Sequence, residues 1–207
     1  MFAFCLILIF PNLPGSDTSA FRGISVFVGI LISLGSSSAI SNTIAGFVIT
    51  YMRPYKIGDW IKVDNIIGCV KEKTILVTRI TTINNEDVTI PNSTILSKNC
   101  INYSATKHEL GLAISATVTM AYNLDWKLIH QLLIKAAKNT PDINTNAEPF
   151  ILQKSLDSYF VSYTVNVYTK HPEKMFFIHT DLLKNIQDAF KEANIDMSLP
   201  QQITIKP

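Results

Sequence analysis

From Gly23 to Met52 the chain runs for 30 residues without a charge. A straight helix of that length measures about 45 Å, against a hydrocarbon layer about 30 Å thick. The stretch reads as a membrane helix too long for the bilayer, so it must tilt, bend or leave the membrane part-way. Its flanks differ in charge. Asp17 and Arg22 precede it, and Arg53, Lys56 and Lys62 follow it. The positive-inside rule then puts the C-terminal end in the cytoplasm. Tyr51, Tyr55 and Trp60 lie where amphipathic rings settle at a membrane interface.

Composition agrees with a membrane-attached chain. Charged residues make up 16% of the 207, and the mean hydropathy is +0.23. Of 18 bases and 16 acids, only Arg22 and Asp17 precede residue 53. The remainder is nearly balanced, which argues against a nucleic-acid partner, because such affinity rests on clustered Lys and Arg. Cys5, Cys69 and Cys100 are odd in number and far apart, which speaks for a reducing cytoplasm and against a disulfide framework. Residues 1–10, MFAFCLILIF, are too few to cross a bilayer. Lacking a basic n-region, they read as the end of a preceding membrane helix rather than a signal peptide. "PNLPGSD" follows as a turn.

The long span is not uniformly bulky. It holds Gly23, Ser25, Gly29, Ser33, Gly35, Ser36, Ser37, Ser38, Ala39, Ser41, Asn42, Ala45 and Gly46. Small residues let helices approach closely, and hydroxyls bond across helices or back to their own carbonyls. Such a helix faces protein or water rather than lipid alone. These residues suit one more packed helix in a bundle without a pore as well as a pore lining. Ile30 and Leu34 are four apart and share a face. Ringed around an axis by several copies, they make two apolar collars one turn apart, which stop ions by dewetting. Ser38 and Gly46 sit where the helix is expected to change direction, since kinks favour Gly and Ser. Beyond Ser38, Asn42 and Thr43 suit a segment that lies along the interface and docks on the domain below.

Past residue 53 the pattern is globular. Trp60–Val63, Cys69–Val70, Ile75–Ile83 and Val88–Ile90 read as short strands separated by turns, notably "NNED" at Asn84 to Asp87. "PNSTILS" from Pro91 reads as a helical turn capped by Asn92. A strand at Leu110–Met120 precedes an amphipathic helix at Leu124–Lys138, with Trp126, Ile129, Leu133 and Ala136 on one face. Tyr159, Val161, Tyr163, Val165 and Val167 alternate as a strand, and Ile178, Leu182, Ile186 and Ala189 stripe a helix over Met175–Ala193. Strand, helix, two strands, helix is an α+β order. The final "QQITIKP" has one alternating pair, Ile203 and Ile205, expected to pair with copies of itself.

Catalytic chemistry finds no footing. "GSSSA" at Gly35 to Ala39 resembles a nucleophile elbow, but it lies inside a helical run and lacks the final glycine. His108, His130, His171 and His179 show no ligand spacing, and no phosphate-binding glycine loop occurs. No catalytic, cofactor or metal residues are expected.

"SNTIAGFVITYMRPYKIGDWIKV" and "GCVKEKTILVTRITTINNEDVTIPNSTILSKNCINYS" together resemble the small-conductance mechanosensitive channel family, MscS. The resemblance rests on the pore helix, on Arg53-Pro54-Tyr55-Lys56-Ile57-Gly58-Asp59 leading into the β domain, on Ile90-Pro91-Asn92, and on Ile101-Asn102-Tyr103-Ser104. It covers about residue 20 to the end, the C-terminal part in layout more than in motif. It implies a kinked pore-lining transmembrane helix, then a small Sm-like β-barrel domain and a ferredoxin-like α+β domain. The corresponding ranges are 1–20 (end of a preceding membrane helix and an outer loop), 21–52 (pore helix), 53–104 (β), 105–200 (α+β) and 201–207 (C-terminal strand). By position, Ile30 and Leu34 match the family's upper and lower apolar constrictions, and Gly46 a glycine of the lower half-helix. Ser38 stands where the best-studied members have a hinge glycine, which suggests a stiffer or displaced kink. Ile30 replaces a leucine and keeps the ring apolar.

The family also implies a homoheptamer in the cell's inner membrane. Its cytoplasmic domains form a hollow cage, and it is opened by bilayer tension to release ions and small solutes on hypo-osmotic shock. Its partners are the lipid bilayer, copies of itself and permeating ions, with no cofactor. Family members have at least three membrane helices per subunit, so the resemblance implies either a partial sequence or a truncated gene. Two other readings stay open from the residues: a membrane-anchored binding module of the Sm or OB kind, and a scaffold that assembles without conducting.

Overall fold

The computed structural model describes Ile9, Ser16 and residues 18–105 and 110–197. The expected helix end at 1–10, the turn after it and the strand at 201–207 lie outside these, save for Ile9 and Ser16.

The uncharged stretch forms one helix, α1 (Ser19–Met52), of 34 residues. The Thr18 side-chain oxygen accepts the Phe21 N–H at 3.3 Å and caps its start. At its end Arg53 turns into the left-handed region at φ 48°, and its N–H donates to the Ile49 carbonyl at 3.0 Å. The helix passes through Ser38 and Gly46 as one unbroken α-helix, so any bend there leaves the ladder intact. Its polar side chains fold back on it. The hydroxyls of Ser25, Ser36, Thr43 and Thr50 each donate to the carbonyl four residues earlier, and the Asn42 amide does the same to Ser38. Groups that would be costly in hydrocarbon are thereby satisfied within the helix.

The next unit is a five-stranded antiparallel sheet. Its strands are β1 (Trp60–Val63), β2 (Ile66–Lys73), β3 (Val77–Thr82), β4 (Asp87–Pro91) and β5 (Cys100–Asn102), in the order β4-β3-β2-β1-β5. A short helix, α2 (Asn92–Ser97), links β4 to β5. Period-two alternation places Ile61, Val63, Val70, Ile80 and Ile90 in one core, which Ile49 of α1, Tyr55 and Ile95 complete. Asp64 and Asn85 take positive φ (54° and 62°) in the β1–β2 and β3–β4 turns, where Asp and Asn tolerate the left-handed region.

The last unit comprises β6 (Leu112–Met120), α3 (Trp126–Lys138), β7 (Phe150–Leu156), β8 (Val161–Thr169) and α4 (Met175–Glu192). Its sheet order is β6-β8-β7, all antiparallel, the split arrangement of ferredoxin-like domains. Inward residues of β6 and β8 meet Ile129, Leu133 and Ala136 of α3 and Ile178, Leu182, Ile186 and Phe190 of α4. Asp125 caps α3 by accepting the Lys127 N–H at 3.0 Å. Two expectations fail here. Trp126 is exposed, at the first turn of α3, and Tyr159 is exposed, before β8 begins. The two units meet where Trp60 packs edge-on against Phe176, ring centres 6.2 Å apart, with Ile67 and Tyr103 beside the α+β core.

Candidate pore helix and its junction with the β domain

Around Ile30 and Leu34, α1 is exposed among the described residues. Ile30 and Leu34 are 53% and 72% exposed and, four residues apart, lie on one face. A methyl group added at Gly29 or Gly35 would meet none of the described residues within 4 Å. None of the described residues packs closely on these four positions. Ser38 is likewise exposed, and its carbonyl accepts the Asn42 side-chain amide at 2.9 Å.

The lower part is held tightly. Ala45, Gly46 and Ile49 are buried against the β unit. A Cβ on Gly46 would run into the Ile75 carbonyl oxygen and stand 2.9 Å from Asn92 Nδ2, so only glycine admits the helix this close. One turn higher, Asn42 Oδ1 accepts the Ser93 backbone N–H at 2.9 Å, an otherwise orphaned donor at the start of α2.

The chain then makes a tight exit from the helix. After the left-handed Arg53, the Pro54 carbonyl accepts from Asn102 Nδ2 at 3.1 Å. Asp59 Oδ2 accepts the Lys56 N–H and the same Asn102 amide, both at 2.8 Å. Gly58 adopts φ +93°, and its N–H donates to the Val70 carbonyl at 2.8 Å. Asn102 Oδ1 accepts the N–H groups of Ser104 and Ala105, and Ser104 Oγ accepts the Trp60 N–H at 2.9 Å. The segments at 53–59 and 101–104 are thus one interlocked turn, built from far-apart parts of the chain.

Tyr55 and Trp60, expected at the membrane interface, are not there. Tyr55 is 1% exposed in the β core, and Trp60 joins the two globular units. Burial pushes the Tyr55 phenol above its ordinary value. Tyr51 remains fully available at the end of α1. Asn92 does not cap α2 either. It is the first helical residue, wholly buried, and its side chain turns inward to the carbonyls of Thr74 and Ile75. Asn42, Thr78 and Asn102 carry the junction; the sequence points to Asn42 as a docking residue and to Asn102 only as part of a motif, and it does not single out Thr78. Thr78 carries no local signal beyond a small polar side chain within a strand pattern. Among the described residues no group of three His, Cys, Asp or Glu comes together as a metal site.

Residues 38–105 match the family model described as mechanosensitive ion channel, beta-domain. Residues 114–197 match that of mechanosensitive ion channel MscS, C-terminal. The chain is 25% identical, over 95% of its length, to an uncharacterized MscS family protein of Archaeoglobus fulgidus, of which it spans 68%. It is also 25% identical, over 84% of its length, to a small-conductance mechanosensitive channel of Edwardsiella ictaluri, of which it spans 59%. It therefore spans about two thirds or less of these relatives. The closed-state crystal structure of Helicobacter pylori MscS superimposes with a TM-score of 0.76 at 23% identity, covering 100% of this chain and 83% of that one. At that identity the match speaks for the fold: an N-terminal helix, a β domain and an α+β domain.

Proposed function

The chain belongs to the MscS family of mechanosensitive ion channels, and from that premise we propose that α1 lines a pore opened by membrane tension. Several copies, seven by the family's pattern, ring their α1 helices around one axis in the inner membrane, with the β and α+β units in the cytoplasm. Ile30 and Leu34 form the closed constriction, two apolar collars that exclude water and so ions. Gly29 and Gly35 admit neighbouring helices, and Ser38 and Gly46 set where the helix leaves the axis. Arg53, Pro54, Tyr55, Gly58 and Asp59 fix its exit into the β unit. Tension favours the state that occupies more membrane area, and the closed–open equilibrium shifts accordingly. The ions and small solutes released on hypo-osmotic shock are the cargo.

The observation that carries this reading is the split character of α1. Its upper part is apolar and, among the described residues, largely exposed, and the helix is long enough to span a bilayer, whereas its lower part is locked to the β unit. A plain anchor needs no such lock, and a binding module needs no bare collar of Ile30 and Leu34. Patch recording from liposomes that hold the full-length protein tests the reading. Suction is expected to evoke discrete current steps, and silence at every sub-lytic tension counts against it.

A further inference from the structure

We propose that Thr78 is a positioning residue of gating, the middle of a buried relay that holds the lower part of α1 in its socket. The proposal rests on the channel reading above and concerns what sets the opening tension. Tyr55, Thr78 and Asn92 come from the α1 exit, β3 and the start of α2, and all three are buried. Asn92 Nδ2 donates to the carbonyls of Thr74 at 3.0 Å and Ile75 at 2.8 Å. Its Oδ1 accepts from Thr78 Oγ1 at 2.9 Å. A threonine hydroxyl has one proton. With that proton given to Asn92, the 2.9 Å contact between Tyr55 and Thr78 is the phenol donating. The relay therefore runs one way: Tyr55 to Thr78, Thr78 to Asn92, Asn92 to two backbone carbonyls.

Its two ends bracket the lower part of one helix. The Ile75 carbonyl and Asn92 Nδ2 are the atoms closest to where Gly46 would bear a Cβ, so they form the floor on which α1 sits. Tyr55 lies three residues after the last residue of α1 and ties the exit strap to the same core. Thr78 is the only link between floor and strap in this relay. Buried polar networks of this kind are rigid while complete and costly when one member is lost. Loosening it frees the lower part of α1 to move with the membrane part, so less tension is needed to open the pore.

Patch recordings of the full-length protein, with thermal melting of the same preparations alongside, decide the matter. A wild type without tension-activated current overturns the channel reading, and the role of Thr78 falls with it. With the wild type active, Thr78→Val, which keeps the volume and removes the donor, is expected to shift the tension–response curve to lower tension at unchanged single-channel conductance. Thr78→Ser restores the hydroxyl and is expected to restore the wild-type curve. Tyr55→Phe removes only the first donor and is expected to give a smaller shift in the same direction. If Thr78→Val does not assemble, Tyr55→Phe decides. An unchanged or higher opening tension overturns the proposal, even where melting falls, because the relay is then structural only.

Discussion

Asn42 and Ser93 are 51 residues apart in sequence, and the side-chain oxygen of Asn42 accepts the backbone N–H of Ser93 at 2.9 Å. The same Asn42 donates its amide to the Ser38 carbonyl of its own helix. One side chain thus joins the stretch just below the proposed constriction to the first turn of α2. A polar residue near the end of an apolar span is expensive unless it is paired, and here both of its ends are paired.

Asn42→Ala removes the acceptor and leaves the Ser93 N–H to water. The expected cost is about 1 kcal/mol per subunit. The docked position of α1 weakens, so channels open at lower tension in patch recordings. An opening tension equal to wild type would show that this bond persists through gating.

The glycines of α1 divide into two classes. Gly46→Ala drives a methyl into the Ile75 carbonyl, a backbone atom that cannot swing aside. Overpacking of this sort costs about 1–3 kcal/mol, and thermal melting in detergent should fall accordingly. Gly29→Ala and Gly35→Ala meet none of the described residues within 4 Å. They should leave the melting of the β and α+β units unchanged and alter opening tension instead, because they face away from both units.

Asp59→Ala takes the acceptor from the Lys56 N–H and from Asn102, which also holds the Pro54 carbonyl. The exit turn loses its brace at a cost of about 1–2 kcal/mol. Limited proteolysis between Arg53 and Asp59 should speed up relative to wild type.

Much of the fold could be read from local pattern. Ile61, Val63, Ile80 and Ile90 alternate as half-buried strands must, and Ile178, Leu182, Ile186 and Ala189 recur at the helical period; all of them are core. β7 was harder to place, for a physical reason. Its "FILQKSL" begins with three apolar residues in a row, and its register shifts between Gln153 and Ser155, which breaks the alternation that marks a strand. At the junction, the motifs were visible but their mechanics were not. Asn92 has the composition of a cap, yet its partners lie 14 to 18 residues back in the chain. Tyr55 carries the amphipathic ring of an interface residue, and only the fold shows its hydroxyl meeting Thr78 inside the core.

The buried phenol carries a pH signature. Burial raises the Tyr55 pKa above the unfolded value of 10.0, which favours the neutral form in the folded state. That stabilisation is complete below pH 10 and is lost as pH rises through the folded pKa. Alkaline unfolding, followed by circular dichroism, should be less steep above pH 10 in Tyr55→Phe than in wild type. Matching slopes would mean that the phenol ionises without strain.

The assignment of Ile30 and Leu34 as the constriction is tested most directly by the opening tension of Leu34→Ser beside Ile32→Ser. Residues two apart on a helix face nearly opposite sides, about 200° apart. A hydroxyl at Leu34 wets the collar, whereas one at Ile32 faces away from the axis. Recorded from full-length protein in matched liposomes, Leu34→Ser is expected to open at distinctly lower tension than wild type, and Ile32→Ser at wild-type tension. A Leu34→Ser threshold equal to wild type contradicts the assignment.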